Sequence, residues 1–73
     1  MIEVRLFATF RLGRQKSYSL SVEEYRTARD VCTMLDINPD DVAILLINGF
    51  HSKLDDELKD GDLVLIFPPC AGG

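Results

Sequence analysis

The first ten residues alternate strictly between two sides of an extended chain. Ile2, Val4, Leu6, Ala8 and Phe10 fall on one side, and Glu3, Arg5, Phe7 and Thr9 on the other. Successive Cβ atoms of a strand point to opposite faces, so a period of two marks a half-buried strand. The apolar side of such a strand needs a cover. In a chain of 73 residues the cover must come from one small core, because so little chain cannot build two. Net stability of about 4–10 kcal/mol is expected for this length. An apolar side chain left outside that core therefore needs a reason.

The remaining elements follow from local signals. Leu12-Gly13-Arg14-Gln15 is a turn candidate, and Ser17 to Val22 reads as a second strand with Tyr18, Leu20 and Val22 on one side. The short connection favours an antiparallel hairpin. Thr27 opens a helix of roughly ten residues, with its hydroxyl placed to accept a backbone N–H and Asp30 suited to the positive helix N-terminus. Ala28, Val31, Cys32 and Leu35 make its apolar stripe, and Asn38-Pro39 is expected to stop it. Val42 to Ile47 is a nearly continuous apolar run, expected as a strand covered on both faces. Asn48-Gly49 suits a type I′ turn into a short arm from Phe50 to Lys53. Leu54 to Lys59 reads as a turn or a single 3₁₀ loop, Asp60-Gly61 as another turn, and Leu63 to Phe67 as a last strand with no polar residue. Strand, strand, helix, strand, short strand, strand is the order of a β-grasp. The expected fold class is α+β, with a mixed sheet of four to five strands packed on one helix. The domain is expected to span residues 1–67, with residues 68–73 as a flexible tail.

Composition excludes several classes. The apolar share of 47% and charged share of 27% are those of an ordinary soluble globular protein. A formal net charge of −4 argues against nucleic acid, which needs clustered Lys and Arg. Arg11, Arg14 and Lys16 form the one loose basic cluster, read as a solvated turn. The acidity reads as solubility or as attraction to a basic partner surface. No apolar run reaches membrane-spanning length and no secretion leader is visible, so the expected location is cytoplasmic. Cys32 and Cys70 stand too far apart to suggest a disulfide framework or a zinc site. Cys32 is expected in the core and His51 on the surface.

Two features exceed what a sheet with one covered face requires. If Leu45 and Ile47 face the helix, Ile44 and Leu46 face away; if Val64 and Ile66 face it, Leu63, Leu65 and Phe67 face away. Phe7, Leu65 and Phe67, on strands that pair in a β-grasp, would then form a contiguous patch suited to docking another protein. The second feature is Pro68-Pro69-Cys70-Ala71-Gly72-Gly73. Two prolines stiffen the exit from the last strand, and six extended residues reach about 18 Å. A free carboxylate is a poor electrophile until adenylated, and terminal glycines are narrow enough to enter an activating site.

The pattern Asp60-Gly61-Asp62-x-Val64-x-x-Phe67-Pro68-Pro69-x-Ala71-Gly72-Gly73 resembles the C-terminal signature of the MoaD/ThiS family of ubiquitin-like sulfur carriers. The Phe-Pro-Pro step is closest to MoaD, the molybdopterin synthase small subunit. The resemblance implies that a MoeB/ThiF-like enzyme uses ATP to adenylate Gly73, which then carries sulfur as a thiocarboxylate. Gly72 would permit threading into narrow sites. A MoaE-like large synthase subunit would receive the tail, and sulfur would pass to a pterin that binds molybdenum or tungsten. Phe7, Leu65, Phe67, Pro68 and Pro69 would bind partners. Cys70 stands where a small or aliphatic residue is more usual and is read as a spacer. The chain would be a non-catalytic subunit with no bound cofactor or metal. Sulfur delivery to thiamine, cysteine, methionine or tRNA, and conjugation to proteins in the manner of ubiquitin, remain open alternatives.

Overall fold

The structure, a computed structural model, describes residues 1–69. Its strands are β1 (Ile2–Leu6), β2 (Ser17–Leu20), β3 (Ile44–Ile47), β4 (Phe50–His51) and β5 (Leu63–Phe67), and its one described α-helix is α1 (Ala28–Met34). The strands form one sheet in the order β2-β1-β5-β3-β4. The β1–β2 and β3–β4 pairs are antiparallel hairpins, while β5 runs parallel to β1 and antiparallel to β3. A mixed sheet of this order with a single helix is a β-grasp.

Register explains the core. Val4 pairs with Val64, which pairs with Ile47; Leu6 pairs with Ile66, which pairs with Leu45. These rows meet Ala28, Val31, Cys32 and Leu35 of α1 in one buried cluster. Burying each large aliphatic side chain contributes about 1.5–3 kcal/mol, so the two rows and the helix stripe supply most of the driving force. Cys32 is fully buried among them, as its place on the stripe predicts.

Local chemistry sets the helix ends. Thr27 accepts from Asp30 N at 3.2 Å through its hydroxyl, and the Asp30 carboxylate accepts from Thr27 N at 3.2 Å and Arg26 N at 3.1 Å. This is a capping box with Asp in place of the usual Glu. The helix is seven residues long and ends before Pro39 comes into play. Asp36 turns left-handed at φ 57°, Asp36 N donates to Thr33 O at 3.2 Å and Ile37 N to Cys32 O at 2.8 Å. That Schellman closure aims Ile37 back into the core, where it is buried. The expected stop at Asn38-Pro39 is thus corrected: proline begins a separate 3₁₀ turn over Pro39–Asp41.

Three strand boundaries also differ from the periodicity. β1 stops at Leu6, because Ala8 takes φ 52° and opens a 3₁₀ turn over Ala8–Arg11. Phe10 is still buried, carried inward by the turn rather than by the strand. β2 ends at Leu20 instead of Val22, and β3 begins at Ile44 instead of Val42. β3 is not covered on both faces: Leu45 is buried, but Ile44 is 42% exposed.

The basic cluster is not simply a solvated turn. Arg14 donates to Leu35 O at 2.8 Å, Asp36 O at 3.1 Å and Phe10 O at 3.2 Å, so a cation satisfies carbonyls at the helix C-terminus. At the other end of the sheet, Asn48 and Gly49 adopt φ 53° and 85°, as the expected type I′ turn requires. Asn48 Nδ2 donates to Asp62 Oδ1 at 2.8 Å, and its Oδ1 accepts from Leu63 N at 2.9 Å. Asp62 Oδ2 also accepts from Lys59 N at 2.8 Å. The Asp60-Gly61-Asp62 motif therefore joins the β3–β4 turn to the start of β5.

Candidate functional site

The face of the sheet away from α1 can be read row by row from the register. Its middle row runs Ser17, Arg5, Leu65, Leu46, His51 across all five strands. The row beyond it holds Phe67 opposite Ile44. Phe7 keeps extended geometry at φ −132°, ψ 155°, so its ring continues the outward series of Glu3 and Arg5. The Phe7 and Phe67 rings stack with centroids 4.2 Å apart and an interplanar angle of 10°. The expected assembly of Phe7, Leu65 and Phe67 on one face is what the structure has, and all three are half-buried.

The patch is wider than those three residues. Ile44 and Leu46 join it through their pairing with Phe67 and Leu65. Alternation places Ile44 and Leu46 on one face, but knowing that this face adjoins Phe67 requires the strand order. Beside Phe67 lies a mainly apolar groove of about 460 Å³, lined by Ala8, Thr9, Ala43, Ile44, Pro68 and Pro69 as well as Phe67. Ala8 and Ala43 contribute only methyl groups to its lining. Pro68 and Pro69 are thus part of the same surface as the aromatic pair.

β5 lies centrally, between β1 and β3. The chain accordingly leaves the sheet at Phe67 from the middle of the apolar patch. Gly72, Gly73 and the spacer Cys70 lie outside the described residues. Arg11 was not expected at this surface: its Nε donates to Leu6 O at 2.7 Å, and its guanidinium carbon lies 5.2 Å from the Phe7 centroid. Such a cation–ring contact is attractive.

Other chemistry-bearing residues do not converge. Burial pushes the Cys32 thiol up, away from the thiolate that a nucleophile requires. His51 is exposed. Among the described residues, no group of three His, Cys, Asp or Glu side chains is arranged to hold a metal, and no helix is long and apolar enough to cross a membrane.

A family model described as the ThiS family matches residues 4–73. The chain belongs to the ThiS family. It is 34% identical, over 90 aligned positions covering 99% of this chain and 98% of the relative, to small archaeal modifier protein 3 of Haloferax volcanii. A Pyrococcus furiosus structure provisionally named molybdopterin converting factor, subunit 1, superposes with TM-score 0.69 at 29% identity, covering 93% of this chain and 95% of that one. Small archaeal modifier protein 1 of H. volcanii superposes with TM-score 0.70 at 22% identity over 93% and 95% of the two chains, and shares the fold. This ThiS-family chain is therefore a ubiquitin-like β-grasp protein of the sulfur-carrier and modifier kind.

Proposed function

We propose that this chain is a sulfur carrier whose Gly73 is adenylated and converted to a thiocarboxylate, which donates sulfur in molybdopterin or tungstopterin synthesis. The observation that carries the reading is the exit of Phe67-Pro68-Pro69 from the central strand through the middle of an apolar face. A partner gripping that face receives the following residues at a defined place and direction. Gly72 and Gly73, without side chains, suit passage into a narrow site. The likeness to a P. furiosus protein named for molybdopterin converting factor supports the pterin branch. A Helicobacter pylori complex of subunits 1 and 2 of that factor offers a precedent for a MoaE-like partner.

In this mechanism a MoeB/ThiF-like enzyme joins the Gly73 carboxylate to AMP, releasing pyrophosphate from ATP. A donor supplying sulfur at the sulfide level (HS⁻) then attacks the acyl carbon; the C–S bond forms, the acyl–phosphate bond breaks, AMP leaves and a thiocarboxylate remains. The chain supplies a docking face and a carrier terminus and performs no catalysis alone.

A second reading is favoured by one specific observation, the 34% identity to small archaeal modifier protein 3: the same activated Gly73 would be joined to lysines of target proteins. Intact-protein mass spectrometry after incubation with the host's activating enzyme, ATP and a sulfur donor separates the two. Replacement of one oxygen by sulfur at Gly73 is expected. A conjugate or adenylate without sulfur would favour the modifier, and no change with an enzyme active on another carrier would remove both.

A further inference from the structure

We propose that Arg11 is a specificity-determining residue of the docking face, selecting a protein partner that brings an Asp or Glu carboxylate to the rim of the Phe7–Phe67 patch. This rests on the docking role given to that face above. Phe67 stacks on one side of the Phe7 ring, which leaves the other side to the guanidinium 5.2 Å from its centroid. The Nε–H bond to Leu6 O ties the same side chain to the end of β1. Arg11 is thus anchored twice, yet the residue is exposed and its Nη donors have no partner among the described residues. A held guanidinium with free donors is prepared for a carboxylate, because little side-chain freedom is left to lose on binding.

The charge around it points the same way. The chain carries a net −4, but of its twelve acidic residues only Glu3 lies on a strand. Glu3 is already paired with Arg5 on the same face. Arg11 thus stands beside the apolar patch with no carboxylate partner among the described residues. A partner with a carboxylate there gains attraction, while one with Lys or Arg meets like-charge repulsion. Net acidity alone would suggest a basic partner; the guanidinium of Arg11, unpaired among the described residues, argues instead for a carboxylate at this point of the rim.

The test uses the full-length chain and the host's ThiF-like adenylating enzyme, the partner common to the sulfur-carrier and modifier readings. Affinity and association rate are measured at about 50 and about 500 mM salt for wild type, Arg11→Lys, Arg11→Met, Arg11→Glu and Phe67→Ala, with a thermal melt of each. Arg11→Met is expected to weaken binding on the order of 10-fold and Arg11→Glu on the order of 100-fold at low salt. Both should lose much of the salt dependence, while Arg11→Lys keeps most of it. Wild-type binding by Arg11→Met and Arg11→Glu, with binding lost in Phe67→Ala, would overturn the Arg11 proposal and leave the docking face standing. Wild-type binding by Phe67→Ala as well would remove the docking face itself. Equal weakening in Arg11→Met and Arg11→Lys, tracking a lower melting temperature, would make Arg11 a structural brace and also overturn the proposal.

Discussion

Single side chains here hold boundaries that periodicity only approximates. Thr27 and Asp30 exchange hydrogen bonds across the first turn of α1. Thr27→Ala should therefore cost about 1 kcal/mol, read as a lower urea midpoint with an unchanged slope. The Asp30 side was legible too, since both residues of a capping box lie within one turn of chain. Asp55 behaves differently. Its hydrogen bonds from Arg29, at 2.7 and 3.1 Å, hold its carboxyl below the usual carboxylate range. A depressed folded-state value means that the stabilisation is present above the unfolded value of about 3.9 and is lost as pH falls through the folded value. Chemical denaturation of wild type and Asp55→Asn should thus differ slightly near neutrality and converge in strong acid. The pair is exposed, so the difference should shrink further with added salt. Nothing in the local sequence pairs Arg29 with Asp55, because 26 residues separate them.

At the level of elements, α1 shows both the reach and the limit of local reasoning. Its stripe of Ala28, Val31, Cys32 and Leu35 follows from helical spacing, and all four are buried. Its end does not follow, because the helix stops where Ile37 must turn into the core and Arg14 arrives from 21 residues earlier in the chain to bond Leu35 O. Arg14→Ala removes a cationic donor shared by three carbonyls and should destabilise the domain by about 1–3 kcal/mol. Hydrogen exchange should rise first around residues 33–37. Val31 has no exposed surface, and Val31→Ala removes two buried methyl groups, at about 2–3 kcal/mol including the cavity left behind. In a domain expected to hold about 4–10 kcal/mol, a denaturant titration should register that as a large fraction of the total. The strands repeat the lesson. Leu63 to Phe67 is a strand from end to end, whereas alternation from Met1 to Phe10 continues past the strand because the 3₁₀ turn also returns Phe10 to the core.

For the whole molecule, the decisive arrangement is the pairing of β5 between β1 and β3. It stacks Phe67 on Phe7, sets Ile44 beside Phe67 and leaves a mainly apolar groove next to them. Ala43→Phe should fill that groove, leave the melting temperature within a few degrees because Ala43 is exposed, and weaken binding to the activating enzyme. Unchanged affinity with the fold intact would remove the groove from the docking surface. By itself the sequence determined the order of the elements, the helix cap, the Asn48-Gly49 turn and the apolar side of β1 from Ile2 to Leu6, all of which depend on neighbours within a few positions. The facing of β3 and β5 stayed conditional. It also carried the motif from Asp60 to Gly73 that resembles sulfur carriers. Only the tertiary structure decided which outward residues meet, where the chain leaves the sheet and that Arg11 lies on Phe7. The outward residues that meet lie tens of residues apart and are brought together by strand order and register. Arg11, by contrast, reaches nearby Phe7 because the 3₁₀ turn over Ala8–Arg11 folds the chain back, which alternation does not foretell.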